Sequence, residues 1–326
     1  MRRFKNLIFV ADSGLKGGEA FERAVSLAEN NQARLKVVDV VERVTAGIGM
    51  PEGGPISAEL QAAVVGEHAQ GLETLVDPYC KRIQIQTRVL KGTPFLEIIR
   101  EVLSNGHDLV IKPPETRDWL DRLFDSDDMH LLRKCPCPVW IIKPGTPKSY
   151  RRILAAVDVD EAYPPADLES RRALNRQILE MASSLALSDF AELNIVHAWE
   201  AIGESVMRGT FMSTPEEQIK AYVEQVRQQY AASLDGLMRE VSSNLGQDAL
   251  EYLKPRTHLV KGRARKEIPA LAKRIEADLV VMGTVARTGV PGFIMGNTAE
   301  TILNQIDCSV LAIKPPGFVT PVTLEE

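Results

Sequence analysis

No apolar stretch in this chain approaches the ~18–20 residues that a membrane-spanning helix requires. The first one, Leu7 to Ala11, ends after five residues at Asp12. Despite the basic Met1-Arg2-Arg3 start it is too short for the core of a secretion signal, so a cytoplasmic protein is expected. Cysteine is sparse: four in 326 residues exclude a scaffold built on disulfides. An excess of positive charge is missing too. The formal net charge of −5 gives no broad electrostatic case for nucleic acid. There is no HExxH, no Walker lysine and no Ser-His-Asp set, and no cluster of His and Cys suited to a structural metal. The expectation is a protein that is not an enzyme, with slow ATP hydrolysis left open.

What is present is a repeat. Phe4-Lys-Asn-Leu-Ile-Phe-Val-Ala-Asp12 reads like Tyr150-Arg-Arg-Ile-Leu-Ala-Ala-Val-Asp158. Arg34 to Glu42 reads like Glu192 to Glu200, Leu90-Lys-Gly92 like Val260-Lys-Gly262, and Asp108-Leu-Val-Ile like Asp278-Leu-Val-Val. Cys137-Pro-Val-Trp-Ile-Ile-Lys-Pro144 reads like Cys308-Ser-Val-Leu-Ala-Ile-Lys-Pro315. Blocks that recur in the same order mark a duplicated domain. The Pro- and Gly-bearing stretch Lys143 to Ser149 has linker composition, so domains are expected over 1–147 and 148–326.

Each half alternates short, β-branched, nearly continuous apolar runs with helical patterns. In the second half the strands are Ile153–Val157, Leu193–Ala198, Thr257–Val260, Leu279–Met282 and Val310–Ile313. Leu174, Ile178, Met181, Ala182 and Leu185 share one helical face. A long helix is expected from Pro215 to about Asn244, and another from Arg265 to Glu276. The fold class is therefore α/β: two tandem doubly wound, Rossmann-like domains, each a five-stranded parallel sheet flanked by helices. Ligands of such sheets bind beyond the carboxyl ends of the strands, where strand order reverses.

The stretch from Gly283 to Thr298 follows an apolar strand and precedes a helix-like segment. Glycines there let backbone N–H groups approach an anion, and the helix adds the positive end of its dipole. The phosphate chain of a nucleotide suits such a loop. Asp158, after a parallel strand, can accept from a ribose hydroxyl or an adenine amino group, or can cap the following turn. His197 reads as a packed histidine rather than a base. Lys261, Arg263, Arg265 and Lys266 read as a solvated basic face.

Asp158, His197-Ala198, Lys261-Gly262 and the Gly-rich loop together resemble the universal stress protein family, over residues 4 to 315 and both halves. The duplicated layout is similar to the tandem, E-type branch. Nucleotide-binding members carry Gly-x2-Gly-x9-Gly-Ser/Thr. Gly283 and Gly296 match the outer glycines, Ala286 stands at the second, and Asn297, then Thr298, at the Ser/Thr. The resemblance implies an adenine nucleotide such as ATP, with any Mg²⁺ arriving on it. It is held by Asp158, the backbone of Ala198, and Gly283, Ala286, Gly296, Asn297 and Thr298. Arg287 either pairs with a phosphate or is a solvated loop residue. Family dimers pair through the last strand. In a tandem chain Val139–Ile142 and Val310–Ile313 do so internally, as a pseudo-dimer; a homodimer and protein partners stay open.

The first half departs from that pattern. Pro113 replaces the first glycine and removes an N–H donor. Asp125-Ser-Asp-Asp128 brings acid to the phosphate end. No triphosphate is expected in residues 1–147. Met207, Phe211, Met212 and the Gly47–Pro51 stretch either line a lipid-like cavity or are ordinary packing. Cys135-Pro136-Cys137 reads as buried small hydrophobes, with a redox or metal role as the alternative. The leading expectation is a stress-response module that binds an adenine nucleotide in its second half. A nucleotide-free scaffold acting through partners or a lipid-like ligand competes with it, and an adenylyl-transferring enzyme is the third reading.

Overall fold

The computed structural model describes residues 4–12, 14, 18–44, 55–115, 126–209, 214–245, 251–284 and 295–324. The first half contributes β1 (Asn6–Val10), α1 (Gly18–Asn31), β2 (Arg34–Val41), α2 (Pro55–Val76), β3 (Ile85–Lys91), α3 (Pro94–Asn105), β4 (Leu109–Lys112), α4 (Asp127–Lys134) and β5 (Val139–Ile141). The second contributes β6 (Arg152–Ala156), α5 (Pro165–Asp189), β7 (Glu192–Trp199), α6 (Glu204–Met207), α7 (Glu216–Leu245) and β8 (Arg256–Lys261). It continues through α8 (Ala264–Arg274), β9 (Leu279–Gly283), α9 (Asn297–Leu303) and β10 (Ser309–Ile313).

The strands form one ten-stranded sheet in the order β3-β2-β1-β4-β5-β10-β9-β6-β7-β8. Among the described strands pairing is parallel within each half and antiparallel only where β5 meets β10. The two five-stranded sheets expected from the sequence are thus fused edge to edge. Helices cover both faces, which is why the central strands are apolar at nearly every position. All of β4 is buried, and so are Leu279 to Met282 of β9. Alternate residues feed two cores. Leu7, Phe9, Leu193 and Ile195 pack with α1, α5 and α7 on one face. Ile8, Val110, Val280 and Val310 pack with α3, α4, α8 and α9 on the other. A Leu or Ile buried this fully contributes ~1.5–3 kcal/mol.

The central seam has a local twofold. Val310 faces Ile141, Leu311 faces Trp140 and Ala312 faces Val139. Trp140 and Leu311 are repeat counterparts, so the axis passes between them and each strand presents the same patch to its mate. The seam is reinforced from the side. Arg23 of α1, 8% exposed, donates to Asp189 of α5 at 2.8 Å and to the carbonyls of Pro147 and Lys148 in the connecting stretch. Its guanidinium lies 3.7 Å from the ring centre of Tyr150. On the other face Arg133 of α4 pairs with Glu300 of α9 at 2.7 Å.

No described helix is long and apolar enough to cross a membrane. The helical face of α5 holds as expected, with Leu174, Ile178, Met181, Ala182 and Leu185 all buried.

Candidate functional site

In the second half, β6 pairs with β7 on one side and β9 on the other, so strand order reverses at β6. A cavity of about 620 Å³ opens at the carboxyl ends of these strands. Its walls come from strand ends (Asp158, Ala198, Gly283), from α5 and α7 (Leu174, Tyr230), and from the start of α9 (Gly296, Asn297, Thr298). Six of the eight residues expected from the sequence thus line one hollow. Ala286 and Arg287 lie outside the described residues.

Asp158 follows β6. Asn175 of α5 pins its backbone on both sides: its side-chain oxygen accepts from the Asp158 N–H at 3.0 Å, and its amide donates to the Asp158 carbonyl at 2.7 Å. The Asp158 carboxylate is not idle. It accepts from Arg171 at 2.8 Å, from the Tyr163 hydroxyl at 3.1 Å and from the Asp160 N–H at 3.2 Å. Arg171 stacks 3.4 Å from the Tyr163 ring centre. Burial, then the Asp158 charge, pushes the Tyr163 phenol up to about 12, so it stays a donor. A ligand group bound at Asp158 therefore meets a carboxylate already half-neutralised by a planar cation. Arg171 and Tyr163 carried no signal in the sequence.

Ala198 sits on β7 opposite Val260 of β8. Its neighbours His197 and Trp199 point to the other face, against Tyr230, with ring centres 4.9 and 6.1 Å away. His197 is 3% exposed and burial lowers its basicity, as a packed histidine should. Its Nε2 and the Trp199 Nε1 are buried without a hydrogen-bond partner among the described residues.

Gly283 ends β9, but its lack of a side chain has a second cause. A Cβ there would lie 2.6 Å from Leu174 Cδ2. A side chain there would displace the tip of Leu174, so the close passage of α5 over the strand favours glycine whatever the ligand. Gly296 is the N-cap of α9 with extended backbone (φ −62°, ψ 134°) and no side-chain cap. Its own N–H donates to the Thr284 carbonyl at 3.1 Å. Helix capping by glycine leaves the first-turn N–H groups without a side-chain acceptor. Gly262, ahead of α8, also lines the cavity, at φ +139°, a conformation repeated by Gly92 at φ +142° in the first half. Each lets the chain turn from strand into helix, with its N–H donating to the carbonyl of Trp199 or Val41. Arg263 and Arg265, expected as part of a solvated face, line the cavity too. Lys261 of the same run pairs with Glu204.

A second hollow of about 880 Å³ adjoins this one between α5 and α7 and shares Asp158, Asp160, Arg171 and Asn175 with it. Its wall adds Glu161, Glu169 and Glu240 against Arg172 and Arg176. Acid outnumbers base there, so a polyanion is better served at the strand ends.

The first half closes the corresponding position with its own charges. Lys112, at the end of β4, reaches the Asp128 carboxylate in the first turn of α4, and both are buried. The second Asp128 oxygen accepts from the Glu115 N–H at 3.0 Å. Burial, then the Asp128 charge, pushes the Glu115 carboxyl up to about 7. Asp125, Phe211, Met212 and Gly47–Pro51 lie outside the described residues, and Met207 is half-buried in α6. Among the described residues no group of three or more His, Cys, Asp or Glu is placed to hold a metal.

The model of the universal stress protein family matches residues 3–143 and again 149–314. The chain belongs to the universal stress protein family. It is 30% identical over 325 residues to the universal stress protein E homolog of Haemophilus influenzae, covering 96% of this chain and 98% of that protein. It is 28% identical to universal stress protein E of Escherichia coli K12 over the full chain and 99% of that protein. Among solved structures it is similar to a functionally unknown protein of Pseudomonas aeruginosa PAO1. The TM-score is 0.66 at 25% identity, over 96% of this chain and 93% of that one. The tandem E-type layout expected from the sequence accords with these full-length relatives.

Proposed function

We propose that the second half of this stress protein binds an adenine nucleotide, ATP or a close relative, and works as a signalling module rather than as an enzyme. The observation that carries the reading is the shape of the cavity. One hollow joins the strand ends at the switch point to the uncapped first turn of α9. The first suits a base and ribose; the second, with Arg263 and Arg265 beside it, suits phosphates. Asp158 and the backbone of Ala198 would hold the adenosine end. Gly283, Gly296, Asn297 and Thr298 would border the phosphates, with Ala286 and Arg287 in the same loop. Mg²⁺ would be held by the phosphates. The first half, with Lys112 and Asp128 filling the corresponding place, is proposed to take no nucleotide, and residues 1–147 and 148–326 are proposed as the two domains.

The test is a thermal-shift titration of the full chain with ATP and Mg²⁺. A Kd near 10 μM stabilises by about 2.7 kcal/mol at 1 mM ligand. Gly296→Glu puts a side chain and a negative charge at the start of α9 and should abolish the shift while leaving the unliganded melt in place. An unliganded melt that does not respond to ATP, GTP or cyclic AMP removes the reading.

A further inference from the structure

Two thiols at the seam take no part in the nucleotide site. Cys135 is the C-cap of α4, its N–H donating to the Leu131 carbonyl, and the chain then turns through Pro136 to Cys137 ahead of β5. The turn folds the sulfurs onto each other, with Sγ atoms 3.6 Å apart. Cys135 is fully buried and Cys137 is 9% exposed. The cation that acts on Cys135 belongs to the other half. Lys314, just past β10 and itself buried, donates to the Leu132 carbonyl in α4 and to the Thr284 hydroxyl.

The thiols are electrostatically unequal. Burial alone would push the Cys135 thiol up, but the bond from Cys137 and the Lys314 charge outweigh it and hold the thiol below its ordinary value. The same bond, then burial, drives Cys137 well above. Of the two thiols Cys135 gives up its proton the more readily, which makes it the nucleophile of the pair. The other two cysteines lack this arrangement. Cys80 is exposed and its S–H donates to the Val76 carbonyl at 3.4 Å. Burial pushes Cys308 up to about 12. Cys308 is the repeat counterpart of Cys137, but Ile306 stands where Cys135 does, so the second half has no partner sulfur.

We propose that Cys135 and Cys137 are a dithiol that hydrogen peroxide closes to a disulfide inside the seam. The Cys135 thiolate attacks one peroxide oxygen. The O–O bond breaks, a sulfenic acid forms on Cys135 and hydroxide leaves. That hydroxide takes the Cys137 proton and becomes water. The Cys137 thiolate attacks the Cys135 sulfur, the S–O bond breaks, and the second hydroxide is protonated from Lys314 or solvent. Two sulfurs lose two electrons, the peroxide oxygens gain them, and two waters result. Closure needs the sulfurs to approach from 3.6 Å to a bond length of about 2.05 Å. The site stands apart from the nucleotide reading and does not depend on it.

The experiment treats the full chain with a few equivalents of hydrogen peroxide, then alkylates under denaturing conditions and maps the peptides. The expected result is a disulfide between Cys135 and Cys137, formed while Cys308 stays alkylatable, and reversed by a dithiol reductant. In Cys137→Ser, dimedone should trap a sulfenic acid at Cys135. In Cys135→Ser, labelling of Cys137 should be at least tenfold slower. Peptide mapping of the unsubstituted chain is decisive even if a variant folds poorly. Cys135 and Cys137 both remaining alkylatable after peroxide has fully oxidised Cys80 would overturn the proposal. So would equal dimedone labelling of Cys137 in Cys135→Ser and Cys135 in Cys137→Ser, because it removes the assigned nucleophile.

Discussion

Gly283→Ala separates the packing role of this glycine from its place beside a phosphate. The new Cβ would sit 2.6 Å from Leu174 Cδ2 and 3.3 Å from Leu174 Cγ, where ordinary carbon contacts begin near about 3.5 Å. Close to 1 Å of overlap must be relieved. Residue 283 cannot move easily, because it pairs with Ile313 of β10 and the Thr284 N–H donates to the Ile313 carbonyl. Leu174 must give way, and the open side available to it is the cavity it already lines. Such overpacking costs ~1–3 kcal/mol. For a chain of 326 residues 1 kcal/mol is worth roughly 1.5 °C, so the melt should fall by about 1.5–4.5 °C. Leu174→Ala alone should cost ~2–3 kcal/mol, since it vacates a buried site. In the double variant the methyl introduced at position 283 enters the vacated space. The two losses should then fall short of additivity by ~1–2 kcal/mol. Equilibrium denaturation of the four proteins measures this. Calorimetric titration with ATP adds the functional half: Gly283→Ala should weaken binding as Leu174 swings inward, and Leu174→Ala should restore it. Losses that add to within ~0.5 kcal/mol would refute the shared-space argument.

Three other perturbations act on buried charge. Arg23→Ala takes the cation from the Asp189 carboxylate, leaving it the Tyr150 N–H at 2.8 Å, and strands two carbonyls. It should cost ~3–5 kcal/mol in denaturant melts, and Asp189→Ala on top should recover part of that loss. Burial holds the Lys314 amine down at about 7. The unfolded chain keeps a proton that the folded one sheds, so the lysine destabilises most below pH 7 and this fades as pH rises toward about 10.5. Lys314→Met should therefore gain on the wild type at pH 6 relative to pH 9.5, and a gap independent of pH counts against it. Glu101 is held at about 2, first by His107, against burial, and then by Lys36 and Arg88. Its contribution, on the order of 3 kcal/mol, is present above pH ~4.5 and lost as pH falls toward 2. Glu101→Gln should cost stability at pH 7 and almost nothing near pH 2.

The legible parts of this molecule are those in which one residue's environment follows from its own spacing. Leu279 to Met282 read as a strand covered on both faces, and Leu174 to Leu185 as one helical face, from their own patterns alone. The packing of His197 was legible in the same way, from its place inside an apolar strand. What resisted reading was which element lies over which. Gly283 looked like a glycine reserved for an anion, because nothing local says that Leu174 passes above it. Arg171 reaches Asp158 from thirteen residues downstream on another element, with no motif linking them. Asp158 looked free for a ligand for that reason. The charge of Lys112 and Asp128 was visible, but not that they would neutralise each other across the first half's switch point. Long-range pairing, and not local propensity, decides each of these cases.

The seam shows how one substitution propagates. Lys143 and Lys314 are repeat counterparts, and a strict twofold would give them the same partners. Lys143 reaches across to the carboxylate and carbonyl of Asp307, and its N–H donates to Ser309. The counterpart of Asp307 is Pro136. The acid that Lys143 meets across the axis is therefore replaced by proline on the Lys314 side. Lys314 turns inward, to the Leu132 carbonyl and the Thr284 hydroxyl, and burial depresses its basicity. The same Pro136 sits between the two cysteines and sets the turn that brings their sulfurs together. A backbone seam that is symmetrical to the residue thus carries an ordinary surface ion pair at one end. At the other it carries a buried amine beside a thiol pair, and the exchange of acid for proline accounts for the difference.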